Sequence, residues 1–372
     1  MLARFQVVRE RQQSRRQQQC LRRLKMVLAL VPAALLAACV VPQETPVTQP
    51  LAAVTKAAPP KNIDTPEQAA LRKLTAQQDR LYRVAAPLLT SNAPLCKGNA
   101  RNLLGFTAKN KYSYSMEFAS AAQAIGFDDR LQVTDVLPGS GADRAGVQRG
   151  DILLKVADKP LQEGTDAERQ AANVLGPLVI GRAPIKLTIL RRHTQQTLIV
   201  PLTLACAFSI ELGNTDNVNT YGDGRRVLVT RGMLSFAQSD EELAYLIAKE
   251  MAHNSLGHAI RQRMVATSGS VIDNLMRAEP DLTVAAGNGG IRPYPQDLDA
   301  AADNLALYML VRAGYNIDGF AAFWQRLAIQ YPSTVPNAYT SLHPAVAYRL
   351  SMIDKSSQVL KAKQAAGKPL TP

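Results

Sequence analysis

"AKEMAHNSLGH", residues 248–258, is the stretch on which the reading of this chain turns. A helix places residues four apart on one face. In the arrangement H-E-x-x-H that geometry brings two imidazoles onto one zinc ion, with the glutamate set beside the metal's water. Here Glu250 and His253 hold the glutamate and second-histidine positions, but Lys249 stands where the first histidine belongs. Taken alone, K-E-x-x-H describes the solvated face of many helices. The flanks have to decide what it is.

Those flanks carry strong local signals. Upstream, "RRVLVTRGMLSF" (225–236) is a β-rich run. Ser239 with Glu242 three residues on makes a capping box, so a helix is expected over 239–264. "DAAADNLALYMLVRAGY" (299–315) reads as a second helix, with Gly314 as its stop. "IDGFAAFWQRLAIQY" (317–331) reads as a third, and the Gly/Pro-rich "AAGNGGIRPYP" (285–295) is a loop.

In order and spacing, "VLVTRGML … DEELAYLIAKEMAHNSLGH … AADNLALYMLVRAGY … SLHPAVAYRL", within Arg226 to Leu350, resembles the HtpX/BepA-type zinc metallopeptidase family. The resemblance implies an α+β, zincin-like domain. It also implies roles, residue by residue. Glu250 stands at the catalytic general base and His253 at the second zinc ligand. Lys249 stands at the first ligand. Ala301 stands at the third, the glutamate of the family's E-A-D line. Asp303 supports the ligand shell, His343 steadies the tetrahedral intermediate, and Arg349 lies behind it. Two of three ligands are then absent. A protonated lysine has no lone pair to offer a metal. Asp297 and Asp299 sit near Ala301, but helical shifts of two and four residues are expected to aim them elsewhere. His258, five residues past His253, is expected to lie off the shared face. The expectation is therefore no cofactor, with zinc reserved for the alternative of an active metallopeptidase using unorthodox ligands. For Lys249 two readings stay open: its ammonium replaces the metal's charge beside Glu250, or its stem carries the head out to water.

Upstream lies a different pattern. "RLQVTDVLPGSGADRAGVQRGDILLKVADKPL" (130–161) gives a strand, a Pro-Gly turn, a small-residue helical turn and a second strand. "PIKLTILRRHTQQTLIVPLTL" (184–204) reads as a hairpin, with His193 solvated in its turn. Together they resemble a PDZ domain, which binds extended peptides by adding a strand to a sheet edge. A carboxylate-binding loop is expected near "NLLGFTAK" (102–109). Before this insert, Thr65, Pro66 and Glu67 open a long amphipathic helix with Leu71, Leu74, Leu81, Val84 and Leu88 on its apolar face. The insert lies between that helix and the peptidase-like core.

The N-terminus speaks of address rather than fold. The chain has 372 residues, 47% hydrophobic and 20% charged, with net charge +13. Residues 1–38 alone contribute +7, eight Lys or Arg against Glu10. With half the excess in a leader, and no basic stretch interleaved with aromatics, no nucleic-acid partner is expected. "LRRLKMVLALVPAALLAAC" (21–39) has a basic run and an apolar run too short to span a bilayer. Leu36 to Cys39 resembles a bacterial lipobox, which implies lipidation at Cys39. The other reading is a plain signal peptide. Val40, in place of an aspartate, leans toward the outer membrane facing the periplasm. The Pro-rich run after Cys39 reads as a tether. With Cys20 and Cys39 set aside, Cys96 and Cys206 remain, and an even pair in an exported chain points to a disulfide stapling the insert, the other reading being two buried thiols.

The expected organisation is a signal peptide (1–38), a tether (39–63), an N-terminal helix of the peptidase-like domain (64–101), a PDZ-like domain (102–205), a metallopeptidase-like domain (206–360) and a tail (361–372). The expected function is a non-catalytic envelope lipoprotein. It would be an adaptor or quality-control factor that binds polypeptides through its PDZ-like domain and cleft, and the membrane through its lipid. An active zinc endopeptidase and a structural PDZ scaffold are the alternatives.

Overall fold

The computed structural model describes residues 64–114, 116–277, 279–285 and 288–372. The leader, Cys39 and the tether to residue 63 lie outside the described residues. The described chain is α+β.

Helix α1 (Pro66–Ser91) begins where its start signals stand. Thr65 caps it, and Gln68 returns the bond to the Thr65 N–H in a full capping box. Leu71, Leu81, Val84 and Leu88 are buried along one face. At its end Asn92 is buried and donates from Nδ2 to the Leu88 and Met309 carbonyls.

Short strands β1 (Ala100–Leu103) and β8 (Thr203–Cys206) pair antiparallel, with Ala100 opposite Cys206. Cys96 and Cys206 are joined by a disulfide at the foot of this ribbon. What enters through β1 therefore leaves beside it. Between them β2 (Phe106–Lys109), β3 (Gln132–Val136), β4 (Ile152–Val156), β6 (Ile185–Arg191) and β7 (Thr194–Val200) form a sheet in the order β2-β3-β4-β6-β7. The two-residue β5 (Lys159–Pro160) pairs with β4, and helix α2 (Ala167–Ile180) follows. Val133, Leu153, Leu187 and Ile189 fill this domain's own core. Arg192 and His193 make the β6–β7 turn, both with positive φ as a two-residue hairpin turn requires, and His193 is exposed.

The second domain has a sheet in the order β10 (Thr220–Gly222), β11 (Arg226–Thr230), β9 (Ser209–Gly213). The β-rich run is only half strand: Thr230 ends β11, and its hydroxyl accepts from Met233 N–H to start helix α3 (Arg231–Phe236). Helix α4 (Asp240–Leu256) carries the K-E-x-x-H line. It stops earlier than expected, because Gly257 takes a left-handed conformation (φ 68°) and α5 (His258–Arg261) leaves in a new direction. Its capping box is half made. Ser239 accepts from Glu242 N–H, but the Glu242 carboxylate accepts from Gln238 N–H and from Arg326 instead. Helix α6 (Val265–Leu275) and α7 (Gln296–Arg312) follow, with α8 (Phe320–Gln330) and α9 (Ala347–Ala365) closing the domain. Helix α9 runs five residues past the expected boundary at 360. Helices α1, α4 and α7 share one core, which includes Leu88, Leu246, Met251, Leu307 and Trp324.

The two domains also meet along α1. Arg149 Nη1 lies 2.6 Å from Asp79 Oδ2 on α1 and 3.8 Å from Asp135 Oδ1 on β3. Burial, helped by the charge of Asp79 and a hydrogen bond to it, pushes the Asp135 carboxyl up to about 7, against the opposing pull of Arg149 and Lys109. Tyr82 and Tyr114 face the same group. A carboxyl whose folded value is raised holds a proton that the unfolded chain releases near pH 4. Its stabilising effect is full below that value and is lost as pH rises through about 7. The urea-unfolding free energy of the protein should therefore fall between about pH 4 and 7 more steeply than that of Asp135→Asn, and the two should run parallel above about pH 8. Equal slopes in the two proteins would remove the proton from this border.

Candidate functional site: a buried lysine in a carboxylate–imidazole network

Strand β10 lies directly over α4. A Cβ on Gly222 would come within 2.8 Å of Asn254 Oδ1 and 3.0 Å of Glu250 Oε2, so only glycine lets strand and helix approach this closely. From β10, the Thr220 hydroxyl donates to Glu250 Oε1 at 2.8 Å.

Lys249 is fully buried, which closes the reading that it reaches water. Its Nζ donates to the Asp303 carboxylate at 2.7 Å and to the Asp299 carbonyl at 2.9 Å, and lies 3.2 Å from Asp299 Oδ1. Asp303 in turn receives Arg349, whose Nε and Nη2 reach its two oxygens while Nη1 donates to the His343 carbonyl. Two cations thus face two aspartates away from solvent. Burial alone would be costly for each of these charges. Mutual pairing offsets that cost.

The sequence reading of α7 needs correcting here. Ala301 is exposed, and Asp299 and Asp303, four residues apart, share the inward face. Asp299, and not Ala301, is the residue that α7 turns toward His253 and His343, so the expectation that Asp299 aims elsewhere fails. Asp299 Oδ1 lies 3.1 Å from His253 Nε2 and 2.7 Å from His343 Nδ1. His258 was likewise misjudged. The left-handed turn at Gly257 folds its ring back, so that its Nδ1 is 3.0 Å from His253 Nδ1. Thr220 and Tyr294 were not singled out at all, since each belongs to the site only through contacts distant in sequence. The Tyr294 ring lies 4.3 Å from that of His253 and 5.3 Å from that of His343. Glu250, His253 and His343 are each about 1% exposed beneath it, so the expected cleft is filled at its centre.

Proton positions follow from these contacts. Burial raises the Asp299 carboxyl, but Lys249, His343 and the imidazole hydrogen bonds outweigh it and hold the group well below the ordinary carboxylate range. An ionised carboxylate only accepts, so both imidazole nitrogens facing it carry protons. Burial keeps His253 neutral, well below its usual value, so its Nδ1 is an acceptor. His258, pushed down to about 4 by burial, is neutral and donates to it. Burial pushes the Glu250 carboxyl up, against His343, the Thr220 hydroxyl and Lys249.

His253, Asp299 and His343 offer ligand atoms within 4.8 Å of one another, close enough to hold a metal ion. As arranged, they do not suit a zinc dication. Both ring nitrogens of His253 are committed, one as a donor and one as an acceptor, and Lys249 already supplies the cation that Asp299 needs.

The family models agree with the fold on both sides of the chain. Residues 207–357 match peptidase family M48, and residues 132–175 match the PDZ domain. The chain carries a peptidase family M48 domain with a PDZ domain inserted before it. Among curated proteins it is 26% identical over 162 residues to the beta-barrel assembly-enhancing protease of Yersinia pestis, covering 39% of this chain and 33% of that one. It is 30% identical over 131 residues to a putative beta-barrel assembly-enhancing protease of Vibrio cholerae, covering 31% and 27%. It is 24% identical over 138 residues to the mitochondrial metalloendopeptidase OMA1 of Schizosaccharomyces pombe, covering 36% and 41%. The chain thus spans about a third of the length of the curated relatives it matches. Among solved structures, the HtrA3 PDZ domain bound to a phage-derived ligand aligns with 22% identity and TM-score 0.21, over 28% of this chain and 88% of that one. Among the described residues of the M48 and PDZ domains no helix is long and apolar enough to cross a membrane.

Proposed function

We propose that this protein is a non-catalytic member of its family, a lipid-anchored bacterial envelope factor that binds polypeptides as an adaptor or quality-control component. One observation carries the reading: Lys249, which the family resemblance sets at the first-ligand position, is fully buried, with Asp299 and Asp303 as its counter-ions. A catalytic zinc needs three protein ligands and an open position for water. Here the ammonium provides the positive charge, and Glu250, with Thr220 on one side and His343 3.7 Å away, has no metal-bound water to activate. The PDZ domain supplies the polypeptide-binding element, since β2 is an edge of its sheet and can accept a further strand. The names of the bacterial relatives favour an envelope role, and the lipobox-like run ending at Cys39 favours a lipid anchor.

A second reading, an active zinc peptidase with unorthodox ligands, draws on the closeness of His253, Asp299 and His343. Metal analysis separates the two. The purified protein should contain far less than one zinc per chain and leave unfolded casein intact, and Glu250→Gln should change neither result. Stoichiometric zinc, with chelator-sensitive cleavage abolished by Glu250→Gln, would overturn the proposal. For the anchor, Cys39→Ala should move the protein from the membrane to the soluble fraction, and unchanged fractionation would remove the lipid from the scheme.

A further inference from the structure

A cleft of about 700 Å³ opens between the two domains, remote from Lys249. Its walls come from α1 (Lys73), from the PDZ domain (Lys109 and Tyr114), from β9 (Glu211 and Leu212) and from the segment after α6 (Arg277). That size lies within the range of sites that hold a ligand.

Strand β9 is the outer strand of the M48 sheet, and its free edge can be located. Ser209 N–H donates to the Arg225 carbonyl, so Ser209, and by alternation Glu211 and Gly213, turn their backbone groups toward β11. Ile210 and Leu212 then turn theirs outward, and these groups have no backbone partner among the described residues. The next residue of the same parity, Asn214, shows where that edge looks: its N–H donates at 2.7 Å to the Leu275 carbonyl, next to the cleft residues Met276 and Arg277. An unpaired edge of this kind is a template for another strand.

The charge of the cleft selects the partner. Arg231 is taken by Asp216 at 2.7 Å. Lys73, Lys109 and Arg277 have no carboxylate within ion-pair distance among the described residues, and Lys109 rests over the Tyr114 ring at 5.3 Å. The acids lining the cleft are Glu211 and Asp216, and Asp216 feels Lys73 as well as Arg231, so four cations, Lys73, Lys109, Arg231 and Arg277, stand against two acids. We propose that the cleft is a docking site for an extended, acidic segment of another polypeptide, which joins β9 as a fourth strand of the M48 sheet. The site is separate from the PDZ edge at β2, and it does not depend on whether the M48 site holds metal.

The test uses the full chain and a fluorescein-labelled hexapeptide of alternating valine and glutamate, amidated at its C-terminus so that a carboxylate-binding loop has nothing to hold. Fluorescence anisotropy should show binding that weakens with salt and is about tenfold weaker for the valine–lysine hexapeptide and for Lys73→Glu/Lys109→Glu. Two further probes, N-methylated at all valines or at all glutamates, block opposite edges of the peptide, and one of them should lose about tenfold. Leu212→Pro removes an outward N–H without touching the bonds to β11 and should cost about the same. If that variant does not fold, the N-methylated peptides still decide. The proposal falls if the acidic peptide fails to bind at about 1 mM, if the lysine peptide binds equally well, or if both N-methylated probes bind like their parent.

Discussion

Lys249→Met will lower the unfolding free energy of this protein by about 3–5 kcal/mol, the scale for removing one partner of a buried ion pair. The methionine fills a similar volume, so the loss is electrostatic and not a matter of packing. It leaves Asp299 and Asp303 buried with Arg349 as their remaining strong cation, and of the two aspartates Arg349 hydrogen-bonds only Asp303. The pH dependence should change in step. The Asp299 carboxyl is held low in the folded protein, so its contribution is complete above the unfolded carboxylate value near 4 and is lost as pH falls through its own lower value. In Lys249→Met the carboxyl loses its largest source of positive charge, and that acid-side decline should shrink. Asp299→Asn in the same background should recover part of the loss, with a coupling of up to about 3 kcal/mol in a double-mutant cycle. Urea unfolding of the four proteins at pH 7 measures it. Additive effects would mean that Lys249 is held by Asp303 alone.

Much of this site was legible in the sequence, and its errors have definite causes. Glu250, His253, Asp303, His343 and Arg349 all lie in one network, because each belongs to a local pattern on a helix or turn. Asp299 was passed over because α7 was phased from Ala301. Counting back four residues from Asp303 gives the inward face directly, whereas Ala301 lies about half a turn away, in solvent. His258 was lost to the assumption that the helix continued through Gly257. A left-handed glycine breaks the arithmetic of helical spacing, and nothing in a count of residues says where the chain goes next. The capping box at Ser239 failed for a different reason: Arg326, 84 residues away, captures the Glu242 carboxylate. The burial of Lys249 could not be settled locally at all. A lysine stem is long enough to reach water or to stay inside, and the choice depends on counter-ions that another helix brings.

That same geometry sets the most demanding expectation: Lys249→His alone, with no change at Ala301, should convert the site into a zinc site. The new imidazole would stand four residues before His253 on the inward face of α4, across from Asp299 on α7, and would complete a set of two histidines and a carboxylate. The cation that now satisfies Asp299 would be gone, so a dication gains what Lys249 supplied. The variant should be less stable than the parent without metal and should recover on adding zinc, by about 2.7 kcal/mol when free zinc is a hundredfold above its Kd. The purified protein should hold close to one zinc per chain. Ala301→Glu, an exposed change, should add nothing to either result. Lys249→Met is the decisive comparison, because it removes the cation without adding a ligand. If it takes up zinc as well as Lys249→His does, the ligands are His253, Asp299 and His343, and residue 249 acts only by its charge. If Lys249→His folds and remains free of zinc, Asp299 does not occupy a ligand position. The pairing of Lys249 with Asp299 and Asp303 would then have to be understood as a salt bridge of the core, unrelated to the place of a metal.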